Sequence, residues 1–121
     1  HSTTDTAYNA NWGEEDYMIA EFNKMKVKFA DQGIPVVLGE FGAIRRTALT
    51  APHDLQLHLN SRAYFHHFAS RQAVAHGMVP VYWDNGYTGN NGFAVFDRAN
   101  YTVVDQQTIN ALVRGANGLP L

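Results

Sequence analysis

Glu40 follows directly on the apolar run Val36-Val37-Leu38-Gly39 and is bracketed by Gly39 and Gly42. Glycines on both sides let a ligand approach the backbone closely. A carboxylate at such a low-dielectric strand tip can act as nucleophile, general base or metal ligand. The competing reading is a structural carboxylate paired to Arg45 or Arg46. A second apolar run, Met78-Val79-Pro80-Val81-Tyr82, ends in a similar way, at Trp83-Asp84-Asn85-Gly86. An indole there offers a flat face for the axial C–H groups of a sugar ring, with Asp84 and Asn85 within reach of its hydroxyls. The alternative for Trp83 is a packed rim residue. Trp12 and Tyr87, both in glycine-containing loops, are weaker candidates of the same kind.

Other chemistry is argued against by what the chain contains. The sequence has no cysteine, so it offers no disulfide framework, thiolate zinc site or cysteine nucleophile. His58, His66 and His67 fall on one expected helix, but His58 and His66 are eight residues apart, and His66 and His67 diverge by about 100°. No pair of histidines has the i, i+4 spacing of a helical zinc site, so no metal and no cofactor is expected. Gly86 to Gly92 lacks the lysine of a phosphate-binding loop, and there is no serine nucleophile elbow. Nine basic against eleven acidic side chains, a formal charge of −2, argue against a nucleic-acid partner. No apolar run approaches the roughly 20 residues that span a bilayer, so no membrane partner is expected. The chain of 121 residues is one domain's length and begins at His1 rather than Met, as a processed, cleaved or partial chain does.

The elements that must position these residues follow from periodicity. Met18, Phe22, Met25 and Phe29 mark one face of a helix over 14–30, with acidic residues first, lysines last, and Gly33 and Pro35 behind. A strand over 36–39, apolar on both faces, suits a buried parallel sheet, and alternation puts Val36 and Leu38 on the same inner side as Glu40. After a loop with Arg45, Arg46 and Pro52, Asp54 is a candidate N-cap for a helix over 55–76, closed by Gly77. The second strand covers 78–83, where Pro80 costs one ladder hydrogen bond. A hairpin over 93–96 and 101–104 follows. Asp105 then caps a last helix that ends near Arg114, with Gly115 behind it. Strands alternating with long helices imply an α/β fold with parallel pairing. Both strands end in polar, glycine-flanked tips, which is the end of a (β/α)8 barrel where active sites are built. Two strands cannot sustain a parallel sheet alone, so the chain reads as part of something larger.

At these residues the sequence resembles the C-terminal part of a glycoside hydrolase family 5 cellulase, an endo-β-1,4-glucanase. The stretch from Gly33 to Gly42 resembles that family's seventh strand, and the stretch from Gly77 to Gly86 its eighth. Asn11-Trp12-Gly13 and the helix after it resemble the loop and helix that follow strand six. The resemblance implies a single partial domain over 1–121, about the last third of a (β/α)8 TIM barrel. It implies hydrolysis of internal β-1,4-glucosidic bonds with retention, with Glu40 as nucleophile and Trp83 as a sugar platform. Retention needs a second carboxyl group about 5–5.5 Å away. In the family that acid/base glutamate lies on strand four in an Asn-Glu-Pro context, and this chain has no Asn-Glu dipeptide. The resemblance assigns Asp84 no such role; its plainer reading is a carboxylate that orients the platform loop. The chain alone is therefore expected to be silent, and to associate with the N-terminal part of a barrel or with itself. The implied substrate is a β-glucan polysaccharide met outside the cell, which implies secretion. The alternatives are a non-catalytic carbohydrate-binding or interaction half-barrel, or a family relative acting on mannan, xyloglucan or mixed-linkage glucan.

Overall fold

The computed structural model describes residues 10–121. Helix α1 spans Glu15–Lys28, with Glu15 and Asp16 in its first turn and Lys26 and Lys28 in its last, matching the helix dipole. A 3-10 turn over Ala30–Gln32 extends it, and Gly33 ends the turn at φ 76°, a left-handed conformation that glycine adopts without penalty. Met18, Phe22 and Phe29 are half-buried, whereas Met25 is exposed.

Strand β1 (Val36–Phe41) pairs in parallel with β2 (Met78–Tyr82), through Val36 opposite Met78, Val37 opposite Val79, Leu38 opposite Pro80, and Phe41 opposite Tyr82. The helix α2 that connects them spans Pro52–Ala75 and covers one face of the pair. The sequence suggests a sheet covered on both faces. Instead Val37 and Val79 are each 59% exposed on the second face, with Val81 beside them. In a closed barrel this second face turns inward and further strands cover it.

Helix α2 begins earlier than expected. Pro52 occupies its first turn behind Ala51, whose backbone is extended, and Asp54 lies within that turn rather than at the cap. Proline at the first helical position forfeits no hydrogen bond and has its φ already set, so it outcompetes Asp54 as the start signal. Gly77, at φ 75°, closes the helix as expected.

The hairpin is shorter than expected, with β3 (Phe96–Asp97) antiparallel to β4 (Thr102–Val103). The backbone N–H groups of Phe93 and Val95 are taken by the Asn85 and Asp84 side chains, which leaves no ladder over 93–95. Helix α3 spans Gln106–Ala116, capped as expected by Asp105, whose Oδ1 accepts from the Thr108 N–H at 3.0 Å.

Gly115 is not the stop behind α3. It is buried inside the helix, where a Cβ would lie 2.3 Å from the His67 carbonyl oxygen of α2. This glycine lets α3 lie against α2, where Ala63 and Ala111 are buried near one another, and the chain turns away only at Gly118, φ 69°. Gly115→Ala is expected to cost about 1–3 kcal/mol, the usual penalty for overpacking. A lower urea midpoint with unchanged slope would confirm it, and an unchanged midpoint would refute it.

Candidate active site at the strand tips

The tip of β1 does not keep strict alternation. Between Leu38 and Phe41 it uses three residues where β2 uses two, a one-residue bulge. Phe41 consequently returns to the helix-facing side, lining a cleft with Pro80, Tyr82, Ser70 of α2 and Leu112 of α3. Glu40, one residue before it, joins the exposed face of Val37, Val79, Val81 and Trp83. The expected sharing of one side by Val36, Leu38 and Glu40 is thus corrected, because the bulge reverses the phase. The Glu40 side chain is exposed, and among the described residues it forms no hydrogen bond or ion pair; Arg45 and Arg46 do not reach it.

The Trp83 backbone N–H donates to the Phe41 carbonyl at 2.9 Å, which joins the two strand tips beyond the ladder and brings the indole to the same rim as Glu40. The indole is 46% exposed. Asp84 and Asn85 point into their own loop. Asp84 accepts from Gly86 N–H at 2.7 Å, Val95 N–H at 3.1 Å and Arg98 Nη2 at 3.2 Å. The Asn85 Oδ1 accepts from Tyr87 and Phe93 N–H groups at 3.0 and 3.2 Å. Both side chains therefore order the loop that follows Trp83, where the sequence suggests that they reach sugar hydroxyls. Trp12 and Tyr87 are exposed, the former edge-on to Tyr17 at 5.7 Å.

The loops after the two strands are joined as well. Arg45 N–H donates to the Gly92 carbonyl at 2.9 Å, and Asn91 N–H to the Arg45 carbonyl at 2.8 Å. Gly42 proves to be a packing residue, since a Cβ there would meet the Phe93 ring at 2.9 Å. Around Gly39 there is open space.

Arg62 is the residue that sequence reasoning missed. It is 2% exposed in the middle of α2. Its Nε donates to the Ala43 carbonyl at 2.8 Å and its Nη2 to the Tyr82 hydroxyl at 2.9 Å. Its Nη1 donates to Asp105 Oδ2 and to Thr108 Oγ1. One guanidinium thus ties both strand tips to the start of α3. The Tyr82 hydroxyl donates onward to the Phe93 carbonyl, and burial pushes its pKa up, which keeps that proton in place. The available sequence signal was spacing: Arg62 is four residues after His58 and four before His66, so all three share one helix face.

His58, His66 and His67 are committed to backbone. His58 Nε2 accepts from Arg46 N–H at 2.9 Å, and His67 Nε2 lies 2.7 Å from the Leu119 carbonyl. His66 is fully buried, with Nδ1 2.7 Å from the Arg62 carbonyl and Nε2 accepting from Ala43 N–H at 3.2 Å. This pattern requires the neutral ring with its proton on Nδ1. Burial first, and then the Arg62 charge, lower the His66 pKa to about 4. The folded state therefore prefers the neutral ring. Its stabilisation is complete above the unfolded value near 6.5 and is lost as pH falls to about 4. The expected loss is about 3 kcal/mol over that window. Urea midpoints across this range should fall in the parent protein and fall less in His66→Gln; equal slopes in both would refute the assignment.

A parallel strand pair backed by a crossover helix, with a carboxylate and an indole at its joined tips, is the βα unit from which a (β/α) barrel is repeated. No family model matches the chain. It is 41% identical to endoglucanase A of Paenibacillus barcinonensis over 114 residues, 94% of this chain but 27% of that protein. A family 5 xyloglucanase from Paenibacillus pabuli superposes with TM-score 0.83 at 41% identity, over 96% of this chain and 31% of the other. A broad-specificity family 5 endoglucanase from Bacteroides salanitronis superposes with TM-score 0.79 at 34% identity, over 95% and 30%. The chain is a homologue of the glycoside hydrolase family 5 endoglucanases and xyloglucanases, and forms a partial TIM barrel. It spans about a quarter to a third of the length of these relatives.

Proposed function

We propose that residues 1–121 are a single partial domain that supplies strands seven and eight of a retaining endo-β-1,4-glucanase barrel, with Glu40 as nucleophile and Trp83 as sugar platform. The observation that carries this reading is the unpartnered carboxylate of Glu40 on the same open face and rim as Trp83. A Glu40 oxygen attacks the anomeric carbon as the glycosidic bond breaks, and the leaving oxygen takes a proton from a second carboxyl group. Water then attacks the same carbon, gives its proton to that second carboxylate, and frees Glu40. The second group comes from the rest of the barrel, whose strands cover Val37, Val79 and Val81. Asp84 is unsuited to that role, because its oxygens are engaged in the platform loop.

Two of the structural relatives are a xyloglucanase and a broad-specificity endoglucanase, which supports a β-1,4-glucan backbone, branched or plain, as substrate. Such a polymer is met outside the cell, so the enzyme is a secreted one. The test is reducing-end release from soluble β-1,4-glucan and from xyloglucan by the complete barrel carrying this segment, beside its Glu40→Gln variant. Glucan binding without hydrolysis by the complete barrel would replace the enzyme reading with that of a carbohydrate-binding protein.

A further inference from the structure

Three side chains on one face of α2 hold the loop that leaves Glu40. His58, Arg62 and His66 are spaced by four residues, one helical turn apart. His66 accepts the N–H of Ala43 and Arg62 donates to the carbonyl of the same residue, at 3.2 and 2.8 Å. His58 accepts the N–H of Arg46 at 2.9 Å. Both polar groups of Ala43, three residues after Glu40, are therefore fixed by the helix rather than by a neighbouring strand. On the other side, Gly42 is caught between the Phe93 and Tyr82 rings, with a hypothetical Cβ only 2.9 and 3.3 Å from them.

The β1–β2 ladder is interrupted by the bulge between Leu38 and Phe41 and resumes only at Phe41, so Glu40 itself lies in the interruption. The loop is instead fixed from behind. The exposed carboxylate has no side-chain partner of its own among the described residues that could hold it.

We infer that the His58–Arg62–His66 stripe is a positioning device that sets the Glu40 carboxylate against the anomeric carbon. None of the three touches substrate; they act through the backbone of residues 43–46. This rests on Glu40 being the nucleophile. A packing role alone predicts that removing a stripe residue lowers stability and leaves the chemical step untouched. Positioning predicts a lower kcat at unchanged KM, because misplacement of a reacting group by about 1 Å can cost on the order of 10²-fold.

His58 is the residue to change first, being only half-buried, whereas losing Arg62 or His66 endangers the fold. In the complete barrel, His58→Leu is expected to lower kcat roughly tenfold or more, with KM within about twofold. It should also speed amide hydrogen exchange at Arg46. His58→Gln, whose side-chain oxygen can accept the same N–H, should restore both. In a Glu40→Gln background His58→Leu should cost nothing further, since a residue that acts only through Glu40 has nothing left to position. Faster exchange at Arg46 with unchanged kcat overturns the positioning role while Glu40 stands as nucleophile. Full activity of Glu40→Gln overturns the nucleophile and the positioning role together. A tenfold loss from His58→Leu that persists in the Glu40→Gln background shows that the stripe acts on some other group, and overturns the inference alone.

Discussion

Glu40→Gln in the complete barrel is expected to lower kcat by about four to six orders of magnitude, the scale on which loss of one of a set of cooperating catalytic groups acts. The amide has nearly the shape of the carboxylate but cannot form the covalent glycosyl ester. KM should change little, because the proposed site gives sugar binding mainly to Trp83 and to neighbouring subsites. The folded state should be unaffected, since the Glu40 side chain is exposed and holds no hydrogen bond or ion pair among the described residues. Reducing-end assays read the first effect and a thermal melt the second. A melt unchanged with activity retained would remove Glu40 from the chemistry, and a collapsed melt would mean that the carboxylate has a structural partner in the rest of the barrel.

The largest expected loss of stability comes from Arg62→Met. The pair Arg62–Asp105 is buried at both ends, with side-chain exposures of 1% and 5%. Taking two charges out of water is repaid only when every remaining hydrogen-bonding position is satisfied, as the bonds to Ala43, Tyr82 and Thr108 do here. Methionine fills much of the volume but leaves Asp105 charged and its partner gone, at a cost of about 3–5 kcal/mol. That is a large part of a typical domain's 5–15 kcal/mol. Asp105→Asn added to Arg62→Met should recover part of the loss, because asparagine removes the stranded charge and can still cap α3. Urea midpoints of the two variants decide it. A double variant less stable than Arg62→Met would show that the Asp105 charge contributes through something other than Arg62.

The residues with the clearest chemistry were the most legible. Apolar runs cut off by Glu40 and by Trp83 marked two parallel strands and their tips, and Asp105 marked the start of α3. What stayed hidden depended on partners far along the chain. Gly115 looks like a helix stop until the carbonyl of His67, 48 residues earlier, is seen against it. Arg62 looks like a solvated helix residue, because its four partners come from the loop after β1, from β2 and from α3. The plainer reading of Asp84, as a residue that orders the loop, agrees with its bonds to Gly86 and Val95. Alternation along β1 failed at one place, where the only local hint was Gly39, since a glycine inside a strand often marks a bulge.

That bulge also makes residues 36–42 a unit of inheritance. A chimera that joins this segment to a relative before Val36, or beyond Gly42, transfers the alternation together with its interruption. A junction between Leu38 and Phe41 that brings in a strand one residue shorter turns the carboxylate toward α2, into the space held by Phe41 and Tyr82, and leaves the open face without an acid. Length over these seven positions is thus as strict a requirement as the identity of the glutamate itself.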